Sequence, residues 1–136
     1  MSALNDNPTV MVVEDSDDTR AILVEFLVLN GCRVVEADNG KEAVAFIHRK
    51  CPDLILMDLH LPLMDGLAAT AQIRHHRDSC SDVPIVALTA YDGSGVKESA
   101  LEAGCNDYLT KPIDFEHLQE TIRHLLDKDE ENEQEG

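Results

Sequence analysis

The run Asp53-Leu54-Ile55-Leu56-Met57-Asp58 constrains this chain more than any other feature. Its first five residues are strand-like and suit burial in a sheet, and the sixth places a carboxylate, exposed, where the strand ends. Two other apolar runs end in comparable ways. Val10-Met11-Val12-Val13 closes on Glu14-Asp15, and Ile85-Val86-Ala87-Leu88 closes on Thr89. A further run, Asp107-Tyr108-Leu109-Thr110, adds Lys111. In an open parallel sheet the carboxyl ends of the strands form the ligand crevice, so such a fold gathers these groups in one place.

The rest of the chain supports that kind of sheet. Strand-like segments at about 9–14, 33–37, 53–58, 84–88 and 107–110 alternate with helix-like segments at about 16–30, 40–49, 65–77, 94–103 and 115–127. Asn30-Gly31 and Gly104 end helices, while Asn39 and Asp114 begin them. Glu42 completes a capping box with Asn39. Five strand-then-helix repeats predict an α/β fold, a doubly wound five-stranded parallel sheet with helices on both faces. The segment 33–37 alternates more than the others and reads as an edge strand.

At 136 residues the chain is one domain, long enough to bury roughly two thirds of its unfolded surface. The reading divides it into a short extension over 1–8, the domain over 9–127, and an acidic disordered tail over 128–136. Its net charge of −16 argues against nucleic acid or an anionic membrane as a direct partner. No apolar run approaches a membrane span and no signal peptide is evident. Cys32, Cys51, Cys80 and Cys105 form no CxxC pair or zinc pattern, so the expectation is reduced thiols in a cytoplasmic protein.

Adjacent acids at one strand end, with Asp58 opposite, suit Mg²⁺ or Mn²⁺, hard ions that take a few carboxylates plus water. Such an ion offsets the repulsion of clustered acids. Phosphoryl transfer depends on positioning and charge neutralisation. The ion, Lys111 and the Thr89 hydroxyl would each take one phosphoryl oxygen, leaving Asp58 as nucleophile. Singly, these residues have plainer readings: Glu14 and Asp15 as helix-capping acids, Lys111 as a solvated loop residue. Asp17 and Asp18 read as first-turn acids favoured by the helix dipole. Their joint occurrence on separate strand ends points to the site.

With those residues in place, the chain resembles the receiver domains of two-component response regulators over about 9–127. The matching stretches are 10–15 (Val-Met-Val-Val-Glu-Asp), 53–66 (from Asp53-Leu54 to Met64-Asp65-Gly66), 83–90 and 103–112 (from Ala103-Gly104 to Lys111-Pro112). The resemblance implies a flavodoxin-like receiver fold in which Asp58 takes a phosphoryl group from a histidine kinase or phosphotransfer protein. It implies that Asp15, Asp58 and the backbone carbonyl of His60 bind the metal, with Glu14 acting mainly through water. Thr89 and Tyr108 become switch residues that signal to a downstream protein partner, and the Lys111-Pro112 bond becomes cis. It leaves room for a phosphorylation-dependent dimer. His60 and Tyr91 occupy positions that tune phosphoryl lifetime, and both are rings here. The acidic tail reads as a natural end, which favours a stand-alone receiver. Two rivals are weaker. A Mg²⁺-dependent phosphohydrolase with an aspartyl nucleophile usually has a second acid where this chain has His60, and the intact site argues against a degenerate receiver.

The first helix carries more apolar residues than one buried face needs. Ile22, Leu23, Phe26 and Leu27 suffice for the core, so Ala21, Val24 and Val28 form a second stripe, read as a docking patch for the phosphodonor.

Overall fold

A computed structural model describes residues 7–61, 64–75, 80–90 and 95–135, with side chains described to 127. The elements run β1 (Thr9–Val13), α1 (Asp17–Leu29), β2 (Arg33–Ala37), α2 (Gly40–Ile47), β3 (Leu54–Asp58), α3 (Gly66–His75), β4 (Ile85–Thr89), α4 (Val96–Ala103), β5 (Asp107–Thr110) and α5 (Phe115–Glu135). All strand pairs are parallel, in the order β2-β1-β3-β4-β5. The order reverses between β1 and β3, which places a crevice above their carboxyl ends.

Strand periodicity divides the core into two layers. Met11, Val13, Ile55, Met57, Ile85 and Ala87 face one way, where they pack with Ala43, Ile47, Ala69, Ile73 and Ala100 of α2, α3 and α4. Their alternates Val10, Val12, Leu54, Leu56, Val86 and Leu88 face the other way, against Leu23 and Leu27 of α1 and Leu118 and Ile122 of α5. Successive strand side chains point to opposite faces, so a strand apolar throughout must be covered twice. β2 has exposed residues and pairs only with β1, as an edge strand should.

The helix starts follow from capping chemistry. Ser16 Oγ accepts from Thr19 N at 3.3 Å, Asn39 Oδ1 from Glu42 N at 2.8 Å, and Asp114 Oδ1 from Glu116 N at 3.0 Å. The Glu42 carboxylate reaches back to Asp38 N at 3.0 Å, one residue before the cap that the sequence pattern implied. Gly104 closes α4 at φ 115°, a conformation that favours glycine.

Three expectations need correction. The structure bonds Cys51 to Cys80, where reduced thiols were expected; only Cys32 and Cys105 remain free, both buried. The two cysteines stand in the turns entering β3 and β4, which pair side by side, so the sheet brings together what no sequence spacing marks. Next, α5 continues to Glu135 instead of yielding to a disordered tail after 127. Glu, Gln and Lys are good helix formers, and neither Gly nor Pro interrupts them before Gly136. Last, Ile22 is not a core residue. It is 54% exposed, while Leu23 and Leu27 carry the buried face of α1 and Val24 is half-buried.

Candidate functional site

Glu14, Asp15, Asp58, Thr89 and Lys111 meet above the carboxyl ends of β1, β3, β4 and β5. Asp58 is the last residue of β3 and is 3% exposed, so it lies recessed in the cleft rather than exposed at the strand end. Its Oδ1 accepts from the His60 backbone N–H at 2.9 Å, and its Oδ2 lies 3.2 Å from Lys111 Nζ. Lys111 Nζ also bonds Glu14 Oε1 at 2.7 Å. The second Glu14 oxygen accepts from Ser16 N at 3.1 Å. A sheet-edge hydrogen bond from Lys111 N to the Thr89 carbonyl, 2.7 Å, carries the lysine over from β5. The Lys111-Pro112 peptide is cis.

Burial alone would push Lys111 down. The hydrogen bond to Glu14 and the charges of Asp58 and Glu14 outweigh it and hold the ammonium above its ordinary value. One oxygen from each of Glu14, Asp15 and Asp58 lies within 4.8 Å of the others. Three carboxylates against one ammonium leave a formal surplus of two negative charges. An all-oxygen donor set with that surplus fits a hard divalent cation.

Thr89 ends β4 and is fully buried. Tyr108 pairs across the sheet with Ala87, two residues before Thr89, so both side chains address the same sheet face. Tyr91 lies outside the described residues.

Two contributors escaped the sequence reading. Arg20 donates from its guanidinium to the Glu14 carbonyl at 2.7 Å and pairs with Asp17 at 2.6 Å and Glu36 at 3.1 Å, so it braces the acidic turn. A cation so near a helix start opposes the dipole, and that local conflict was the available signal. Gly66 opens α3 against the Asp58 backbone, where a Cβ would overlap the Asp58 carbonyl oxygen. The Met64-Asp65-Gly66 motif contained it, but the close approach is tertiary.

Beside the cleft, exposed apolar surface also lies outside the expected stripe. Ile22, Phe26, Leu29 and Phe115 line a shallow groove between α1 and α5. Ile22 and Phe115 continue it to Lys111, Pro112 and Ile113. Phe26 and Phe115 pack with ring centroids 4.9 Å apart and planes tilted by 44°. Of the expected stripe, Ala21 and Val28 are exposed and Val24 is half-buried. α5 lies beside the first of these sets and forms the groove with it.

A family model described as the response regulator receiver domain matches residues 10–123. The chain belongs to this family. It is a receiver domain, a phosphoryl-accepting signalling module. It is 33% identical to the polar-differentiation response regulator DivK of Brucella anthropi, over 87% of this chain and 95% of that protein. The receiver domain of a Pseudomonas aeruginosa sensor histidine kinase, solved with magnesium in its active-site cleft, superposes with TM-score 0.82. The two are 37% identical, over 88% of this chain and 98% of that one. The receiver domain of Saccharomyces cerevisiae Ssk1, co-crystallised with the histidine phosphotransfer protein Ypd1, gives TM-score 0.78 and 40% identity, over 85% of this chain and 86% of that one. Other curated relatives are longer proteins, and the chain spans 31% of one and 44% of another. Among the described residues, no helix is long and apolar enough to cross a membrane.

Proposed function

We propose that Asp58 accepts a phosphoryl group from a phosphohistidine on a histidine kinase or phosphotransfer protein, in a reaction that requires Mg²⁺ or Mn²⁺. The observation that carries this reading is Asp58 itself, a recessed strand-end carboxylate 3.2 Å from the Lys111 ammonium and clustered with Glu14 and Asp15. An Asp58 oxygen attacks phosphorus, the phosphorus–nitrogen bond breaks, and the donor histidine keeps the electron pair. Lys111 neutralises one phosphoryl oxygen, and the Thr89 hydroxyl donates to another. Glu14, Asp15, Asp58 and the His60 carbonyl would hold the cation, which neutralises charge on the phosphoryl group. The buried carboxylates keep Lys111 charged and aimed into the cleft.

The switch follows from the shared sheet face of Thr89 and Tyr108. When the Thr89 hydroxyl turns toward a phosphoryl group it vacates space on that face, which Tyr108 can enter. A change at β4 and β5 is thereby presented to a downstream protein partner. The donor docks on the groove lined by Ile22, Phe26, Leu29 and Phe115, which reaches the cleft at Lys111. His60 is an exposed residue two positions after Asp58, and its ring shields the acyl phosphate from in-line water.

Acetyl phosphate with Mg²⁺ should add one phosphoryl group by intact mass, and Asp58→Asn should abolish the adduct. Unchanged labelling of Asp58→Asn, or equal labelling with the metal chelated, would overturn the reading.

A further inference from the structure

Cys51 and Cys80 join two turns that lie 29 residues apart in sequence. Cys51 precedes β3 and Cys80 precedes β4, and these strands pair from Ile55 opposite Ile85. The bridge therefore crosses the amino edge of the sheet. Asp58 and Thr89 end the same two strands at the opposite edge, roughly 15 Å away for five-residue strands. The Cα atoms are 5.4 Å apart, within the span a disulfide requires.

The surroundings hold the two turns in place without the bond. Arg74 of α3 donates to the Ser81 carbonyl at 2.8 Å, to the Gly104 carbonyl at 2.9 Å and to Asn106 Oδ1 at 2.9 Å. Asn106 Oδ1 in turn accepts from Ile85 N at 2.8 Å. Asp53, two residues after Cys51, accepts from Thr9 N at 2.8 Å. Reduced thiols at 51 and 80 would stay apposed, so closing the bond orders little new chain.

The two cysteines differ in exposure. Cys51 is exposed, whereas Cys80 is 1% exposed. The remaining cysteines do not compete. Burial pushes the Cys32 thiol up to about 11 and raises Cys105 as well, so neither presents a thiolate near neutral pH.

We propose that Cys51 and Cys80 form a reversible dithiol–disulfide site, exchanged through Cys51 with a small couple of the glutathione class, whose closure stabilises the domain from the edge opposite its acidic cleft. In oxidation the Cys51 thiolate attacks a sulfur of the donor disulfide, forming a mixed disulfide and releasing one thiolate. The Cys80 thiolate then attacks Cys51 Sγ and releases the second. The protons of Cys51 and Cys80 end on the two released thiols. The protein pair is oxidised by two electrons and the donor disulfide is reduced by two. Reduction runs the other way, with an incoming thiolate attacking Sγ of the more exposed Cys51 and Cys80 leaving. Closure encloses β3 and α3 in one loop and narrows the unfolded ensemble.

The test equilibrates the full chain with glutathione disulfide or with dithiothreitol. Denaturing alkylation and intact mass then count thiols, and peptide mapping locates the bond. The oxidised protein should show two alkylatable thiols, Cys32 and Cys105, and the reduced protein four. The oxidised melting temperature should be higher by about 10 °C. Cys51→Ser and Cys80→Ala should each abolish that difference. Four alkylatable thiols after glutathione disulfide would overturn the site, as would a stable glutathione adduct on Cys51 that Cys80 does not resolve. A bond that dithiothreitol does not open in the folded protein would overturn its reversibility.

Discussion

Lys111 Nζ lies 2.7 Å from Glu14 Oε1, and that carboxylate is 1% exposed. The two residues are 97 apart in sequence. With Asp58 on its other side, this one ammonium compensates two buried carboxylates.

Lys111→Ala should therefore destabilise the metal-free protein. Removing one partner of a fully buried pair costs about 3–5 kcal/mol. Lys111 is a quarter exposed, so roughly 1–2 kcal/mol is expected here, a few degrees in melting temperature. Mg²⁺ should restore more stability to the variant than to the parent chain, while acetyl phosphate labelling falls. Calorimetry with and without Mg²⁺ reads the first effect and intact mass the second. The folded lysine is held above its ordinary 10.5, so its contribution is full below that pH and is lost as pH rises through the folded value.

Asp15→Asn should weaken the Mg²⁺-induced rise in melting temperature, because the ion stabilises only the folded cluster. Titration of the thermal shift against Mg²⁺ measures this. An equal response in the variant would place the ion elsewhere, with the acid-rich end of α5 the obvious candidate.

Gly66→Ala should cost about 1–3 kcal/mol or more, since the added methyl overlaps the Asp58 carbonyl oxygen and meets the Leu59 Cα. The obstructing atoms are backbone and cannot swing aside. Urea unfolding measures the loss, and a variant as stable as its parent would show that the start of α3 moves freely.

Ile22→Glu and Leu29→Glu should slow transfer from the cognate phosphotransfer protein by about tenfold, the effect of losing an exposed hot-spot contact. Acetyl phosphate labelling and melting temperature should change little, because both residues lie outside the core, at 54% and 66% exposure. Stopped-flow transfer kinetics separate the two donors. Equal rates from the protein donor would remove the groove from the docking surface.

The strand ends were legible in the sequence because their signal is local. A four-residue apolar run followed by an acid or a hydroxyl reports both a buried strand and what stands at its carboxyl edge, and the shorter run before Lys111 reports the same less strongly. Asp58, Thr89 and Lys111 needed only the parallel topology to converge, and alternating strands and helices supplied it. Contacts between elements were not legible in the same way. The apolar spacing of α1 allows Ile22 to face either core or solvent, and the rotation is set by packing, with Leu23 and Leu27 in the core layer and Phe26 against Phe115. Cys51 and Cys80 carry no pairing signal, because the register of β3 on β4 makes them neighbours. The bracing of Glu14 by Arg20 likewise depends on where α1 lies against the end of β1. Periodicity and strand-end chemistry are properties of neighbouring residues, which a sequence states directly. Helix rotation and turn-to-turn apposition are fixed by packing between distant segments, and only the folded chain decides them.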